Sequence, residues 1–213
     1  MHLTRRDDGF TLIELLIAIV ITGVITLPIG NVLVGFFKNS DATSDRMALS
    51  HDAQISATYF GEDVATVGMR DYTTPAAANG TRLFLPSIQL DALYNAGGKT
   101  CGTSTTPKAI IRFLSDDWDS SVSPQTMSTG VAAYYLKAAG TVSELHRIRC
   151  VGATTADVTL AHNVDPATVS VTCASPTACD TASVPQQVTL SFSVTKPSVG
   201  AYPIKLTGQR RQT

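Results

Sequence analysis

Gly9-Phe10-Thr11-Leu12-Ile13-Glu14-Leu15-Leu16-Ile17-Ala18-Ile19 opens an apolar run that continues to Phe37. From Phe10 the run is 28 residues long, Glu14 is its one charged residue, and Lys38 is the next charge. At about 1.5 Å rise per residue, a helix of that length crosses the roughly 30 Å hydrocarbon core of a bilayer. A carboxylate in such a segment costs about 2.5–3.5 kcal/mol at the helix centre and less toward an end. Glu14 therefore needs a reason to be there.

A secretory signal does not supply one. Such a signal has a basic start, a short apolar core and a small-residue cleavage site after that core. Here the leader, residues 1–9, is short, and the natural cut lies before the apolar run, between Gly9 and Phe10. Cutting there keeps the helix in the mature chain and leaves a free amine on Phe10. Glu14 sits one helical turn from that amine.

Gly9-Phe10-Thr11-Leu12-Ile13-Glu14 resembles the processing site of type IV prepilins and of the pseudopilins of type II secretion. The resemblance implies that a prepilin peptidase cuts after Gly9 and N-methylates Phe10. It further implies that the Glu14 carboxylate offsets the terminal amine of a neighbouring subunit during filament assembly. Other pilin or pseudopilin subunits, an assembly platform and a separate ATPase are the implied partners. The order of the later elements, with a Tyr-containing hairpin and a last alternating strand ending at Arg210-Arg211, also resembles minor pseudopilins of the J type.

Removing residues 1–9 and the apolar run from the 213 residues leaves a segment long enough for one domain with a real core. A net charge of −1 with 15% charged residues gives no general nucleic-acid or acidic-surface partner. Two arginines at the C-terminal end are too few to argue a phosphate clamp. Arg5 and Arg6 precede the anchor and Lys38 follows it. The positive-inside rule then places the leader in the cytoplasm and the rest outside a single-pass inner (cytoplasmic) membrane anchor.

From Lys38 to Val67 no proline occurs, and Leu49, Ala53, Ala57, Phe60, Val64 and Val67 recur at three- and four-residue spacing. This predicts that the helix continues to about Val67 with one apolar stripe, and that Gly68 closes it. Strands are expected at 82–86, 109–114, 131–138, 144–151, 157–161, 168–173, 187–195 and 202–208, with loops at 73–81, 95–107 and 119–130. The expected organisation is a leader (1–9), an assembly helix (10–37), an amphipathic continuation (38–68) and a β-rich extracytoplasmic domain (69–213). The fold class is α+β: a long N-terminal helix packed on a mainly antiparallel sheet.

Four cysteines, Cys101, Cys150, Cys173 and Cys179, suit an exported chain with two disulfides, and three connectivities are open. The favoured one joins Cys173 to Cys179 across a short loop and Cys101 to Cys150, pinning a long loop to a strand. Zinc-ligand spacing is missing. Asp116, Asp117 and Asp119 around Trp118 are a weak calcium candidate, lacking the glycine turn and bidentate glutamate of an EF-hand loop, and a solvated acidic loop is the plainer expectation. His51, His146 and His162 stand apart, and neither a G-x-S-x-G elbow nor a Walker A motif occurs. No enzymatic activity and no cofactor are expected. The expected function is a prepilin-like subunit. The alternatives are a filament-tip binding module for DNA, glycan or secreted substrate, and a plain membrane-anchored exoprotein.

Overall fold

A computed structural model describes residues 11–181 and 183–211. Helix α1, Leu12–Thr66, is 55 residues long and runs through Pro28, whose ring nitrogen cannot donate to the carbonyl of Val24. Thr22 and Thr26 return their hydroxyls to the carbonyls of Ala18 and Thr22, at 2.7 and 2.6 Å, so neither adds an unpaired polar group to the apolar stretch. By internal contacts the chain divides into two units, Met1–Asp45 and Arg46–Thr213.

The second unit is an α+β domain. Two short strands, β1 (Met69–Arg70) and β2 (Phe84–Leu85), form a small ladder. Seven strands follow: β3 (Ile88–Ala92), β4 (Ala109–Asp119), β5 (Thr126–Ala139), β6 (Val142–Val151), β7 (Thr154–Ala174), β8 (Gln187–Lys196) and β9 (Gly200–Gln209). They pair in chain order and all antiparallel, which makes the sheet a continuous meander. The β5–β6 turn is Gly140-Thr141, with Gly140 at φ +71°, the position that a type II′ hairpin turn gives to glycine.

Strand β7 absorbs two of the expected strands. Residues 154–164 pair with β6 and residues 164–174 with β8, and the register shifts between Asp165 and Ser170, beside Pro166. Proline donates no ladder hydrogen bond, so it falls at the irregularity. The expected loop at 119–130 is shorter than predicted. β4 reaches Asp119 and β5 begins at Thr126, with Trp118 opposite Met127. The sequence reading also missed β3, whose Ile-Gln-Leu-Asp-Ala lacks a β-branched run.

One face of the sheet receives the C-terminal part of α1. Phe60 of the helix meets Phe113 and Tyr134 edge to face, with centroids 5.6 and 5.4 Å away, and the two sheet rings are 5.9 Å apart. Such pairs contribute about 0.5–1.5 kcal/mol each beyond area burial. Val188, Leu190, Phe192 and Val194 of β8 are buried in the same core, as their strict alternation requires. The helix stripe differs from expectation in detail: Ala57 is exposed, and Ser56 and Asp63 are buried. Polar partners across the interface explain the rotation, since Ser56 donates to the Leu160 carbonyl at 3.1 Å and Asp63 meets Arg147. Gly68 adopts φ +138°, outside the left-handed helical conformation of a glycine cap, and leads the chain onto β4 through a bridge to Ser115.

The opposite face carries a smaller core of Cys101, Ala109, Leu114, Val131, Ala133, Tyr135, Ile148 and Cys150. A disulfide between Cys101 and Cys150 fastens the 93–108 connection to it. Cys173 and Cys179 form the second disulfide.

Candidate functional site

The start of α1 is built by its own sequence. Thr11 precedes the first helical residue, and Glu14 stands three positions on. The Thr11 backbone N–H and hydroxyl donate to Glu14 Oε2 at 3.0 and 2.8 Å, and the Glu14 N–H donates to Thr11 Oγ1 at 3.3 Å. This is a reciprocal capping box, which satisfies orphan donors at a helix N-terminus. The sequence reading found the carboxylate but not this local role, although Thr-x-x-Glu before an apolar run is its signature. Gly9 and Phe10, the expected cleavage and methylation residues, lie outside the described residues.

Beyond the cap the helix presents apolar surface on every side. Residues 11–41 are all exposed, and Leu12 and Leu27 reach 81% and 73%. Soluble proteins rarely leave so large a contiguous apolar surface open. By length and composition the helix can cross a membrane.

The family model of the prokaryotic N-terminal methylation motif matches residues 4–30. The chain has a prepilin-type N-terminus. The match takes in residues 4–9, the Gly9–Phe10 junction, the Thr11–Glu14 capping box and the first part of the apolar helix, and it supports membership of the type IV prepilin and pseudopilin family. For a chain with this N-terminus, processing by a prepilin peptidase and assembly with other pilin subunits follow in general terms. Neither the curated proteins nor the solved structures yield a match.

The other residues singled out in the sequence are dispersed. Asp116, Asp117 and Asp119 are not a solvated loop but the end of β4, where successive side chains point to opposite faces. The Asp116 side chain is buried; it accepts the Arg70 N–H and the Tyr72 hydroxyl, and the Arg70 guanidinium lies 3.9 Å away. Asp119 caps the turn at Ser121 through two hydrogen bonds. Asp116 and Asp119 are thus engaged by different partners, and no group of three metal-ligating side chains is found among the described residues. Asp52 lies between two exposed histidines: the His162 N–H and Nδ1 both lie 3.1 Å from Asp52 Oδ2, and His51 Nδ1 lies 3.9 Å from Oδ1. His146 is buried between Glu144 and Asp157, each 3.2 Å away, and stacks on Tyr135.

Two buried groups were not foreseen. Asp63, Arg147 and Tyr134 form a hydrogen-bonded cluster in the helix–sheet core. Arg112 is fully buried with no carboxylate partner among the described residues; its Nη1 donates to Gln89 Oε1 and to the carbonyls of Leu93 and Ala96, and its Nη2 to the carbonyl of Lys99. It holds the 89–99 segment against the sheet, and burial lowers its pKa. A period-two reading places Arg112 and Arg147 inside the sheet, but only long-range topology supplies their partners.

Proposed function

We propose that this chain is a structural, non-enzymatic subunit of a type IV pilus or type II secretion pseudopilus. In this reading it is inserted with its N-terminus cytoplasmic, trimmed after Gly9, and packed into the filament through its apolar helix. The observation that carries the reading is the union of a prepilin-type N-terminus with a helix whose residues 11–41 are exposed throughout. Apolar surface of that extent needs a bilayer before assembly and neighbouring helices after it. The domain from Arg46 on has its own core and two disulfides, which suits an extracytoplasmic position. Its size and the order of its elements favour a minor subunit over a major one.

The test is the N-terminus of the mature protein taken from its native membrane and read by mass spectrometry. An N-methylated Phe10 is expected. An intact Met1, or a cut beyond the apolar run, would overturn the reading and leave a membrane-anchored exoprotein.

A further inference from the structure

A cavity of about 870 Å³ opens among β1, β2, the 175–186 connection and the residue that follows β9. Its size falls in the range of small-molecule sites. Three guanidinium groups line it, from Arg70, Arg82 and Arg210, and no carboxylate does among the described residues. Arg70 and Arg210 share one aromatic ring: their guanidinium carbons lie 5.0 and 4.9 Å from the centroid of Phe84. Arg82 lies 5.0 Å from the centroid of Tyr72 and donates through Nη1 to the carbonyls of Asp71 and Thr74.

These cations are unequally compensated. Arg70 has Asp116 at 3.9 Å, on a carboxylate already engaged by a backbone N–H and a tyrosine hydroxyl. Arg210 has less. Its Nε and Nη1 are buried and find no hydrogen-bond acceptor among the described residues. Burial and then the nearby charge of Arg70 press its pKa below the ordinary arginine value. Its backbone is fixed by donation to the Gln186 carbonyl at 2.8 Å, so the residue is held in place rather than loose in solvent. Like charges close to one another in a partly buried wall are unfavourable unless an anion relieves them. Ser175 and Gln186 add neutral polar groups to the same wall.

We propose that this cavity is a binding site for an oxyanion-bearing ligand, held by Arg70, Arg82 and Arg210. Guanidinium forks engage carboxylates and phosphates in two-pronged hydrogen bonds, and either group fits this chemistry. The site does not depend on the filament reading; an unprocessed chain would hold the anion equally well.

The test uses the full chain in zwitterionic detergent, titrated calorimetrically with inorganic phosphate and separately with citrate, at fixed ionic strength. Saturable binding of one ion per chain is expected for at least one of them; phosphate identifies a tetrahedral oxyanion and citrate a carboxylate. Arg210→Gln should weaken that binding at least tenfold. Arg210→Lys, which keeps the charge and loses the fork, should weaken it less, and it serves if the glutamine variant misfolds. Arg149→Gln, an exposed arginine outside the cavity, should leave it unchanged. Absence of saturable binding of either ion to the wild-type chain would overturn the proposal. So would equal losses in the Arg149 and Arg210 variants, which would reduce the effect to net charge.

Discussion

Asp63 and Arg147 join the helix to the sheet through a two-pronged ion pair in the core: Nε donates to Oδ2 at 2.7 Å and Nη2 to Oδ1 at 2.6 Å. Both side chains are about 95% or more buried, the Tyr134 hydroxyl donates to the same Oδ2 at 2.7 Å, and the Tyr59 ring lies 4.7 Å from the guanidinium carbon. Breaking a buried pair by removing one partner costs about 3–5 kcal/mol, because the other charge is left uncompensated. Asp63→Ala and Arg147→Ala should each lower the unfolding temperature by many degrees. The double variant Asp63→Leu/Arg147→Met should lose much less than the sum of the two, as no orphan charge remains. Thermal unfolding of the full chain in detergent, followed by near-ultraviolet circular dichroism, checks this. Additive losses would mean that the two residues act independently.

Tyr134 gives the domain an alkaline limit. Burial, and then the Asp63 carboxylate, raise its pKa well above the ordinary value near 10. A group whose pKa is raised on folding contributes stability that is complete below its unfolded pKa and is lost as pH rises through the window above it. Stability should therefore hold up to about pH 9, begin to fall as pH passes the unfolded-state value near 10, and approach a slope of about 1.4 kcal/mol per pH unit above it for this one proton. Tyr135, raised by burial and by Asp157, steepens the fall. Tyr134→Phe should flatten the slope above pH 10 while lowering stability at neutral pH. Denaturation midpoints measured from pH 8 to 11 test it, and an unchanged slope in the variant would assign the limit elsewhere.

The parts of this fold that depend on local pattern are legible in the sequence. The stripe from Leu49 to Val67, the alternation of Val188, Leu190, Phe192 and Val194, and the Gly140 hairpin each follow from a period or a turn preference. What escaped depends on residues far apart in sequence. Asp63 breaks the apolar stripe and reads as solvent-facing until Arg147, on β6, is seen opposite it. Phe84 and Arg210 are 126 positions apart, and neither says from its neighbours that it faces the other. Asp116 read as part of an acidic loop because the strand continues past its apolar residues, with Asp116, Asp117 and Asp119 paired opposite Thr129, Ser128 and Thr126 of β5.

Gly208 is constrained by the helix rather than by its backbone angles. A Cβ added there would stand 2.5 Å from Val64 Cβ, closer than real side chains approach. Strand β9 and α1 thus touch at a point where only glycine fits. Gly208→Ala should destabilise the domain by about 1–3 kcal/mol through overpacking. Val64→Ala in the same chain keeps the Cβ contact but removes the Cγ contacts at 2.8 and 3.0 Å, so it should recover part of that loss, although Val64→Ala alone opens a cavity. A double-mutant cycle in guanidinium chloride measures the coupling. Zero coupling would show that the two elements separate more easily than this packing implies.

The disulfides should differ in weight. Cys101 and Cys150 are 49 positions apart and Cys173 and Cys179 only 6. Loop-closure entropy assigns about 4 kcal/mol to the first and about 2 kcal/mol to the second. Cys101→Ser/Cys150→Ser should therefore lower the unfolding temperature more than Cys173→Ser/Cys179→Ser, and it should also free the 93–108 connection from the sheet. Proteolysis at that connection and unfolding temperatures of the two double variants give the comparison. The reverse order would show that native-state packing outweighs the unfolded-state constraint.

Glu14 carries two roles that substitution can separate. Within the chain it completes the capping box with Thr11; in the proposed assembly its negative charge meets a neighbour's terminal amine. Glu14→Ala removes both the cap and the charge, while Glu14→Gln keeps a capping-box acceptor and removes only the charge. Loss of the cap alone costs about 1 kcal/mol of helix stability, a small amount for a 55-residue helix. Both variants should be cut after Gly9 and remain in the membrane, and both should be depleted from sheared filaments, with immunoblots of the two fractions as the readout. Depletion of the alanine variant alone would move the role of Glu14 from charge to capping. Normal incorporation of both would remove Glu14 from assembly, and the exposed apolar surface of 11–37 would then have to drive helix packing without an electrostatic guide.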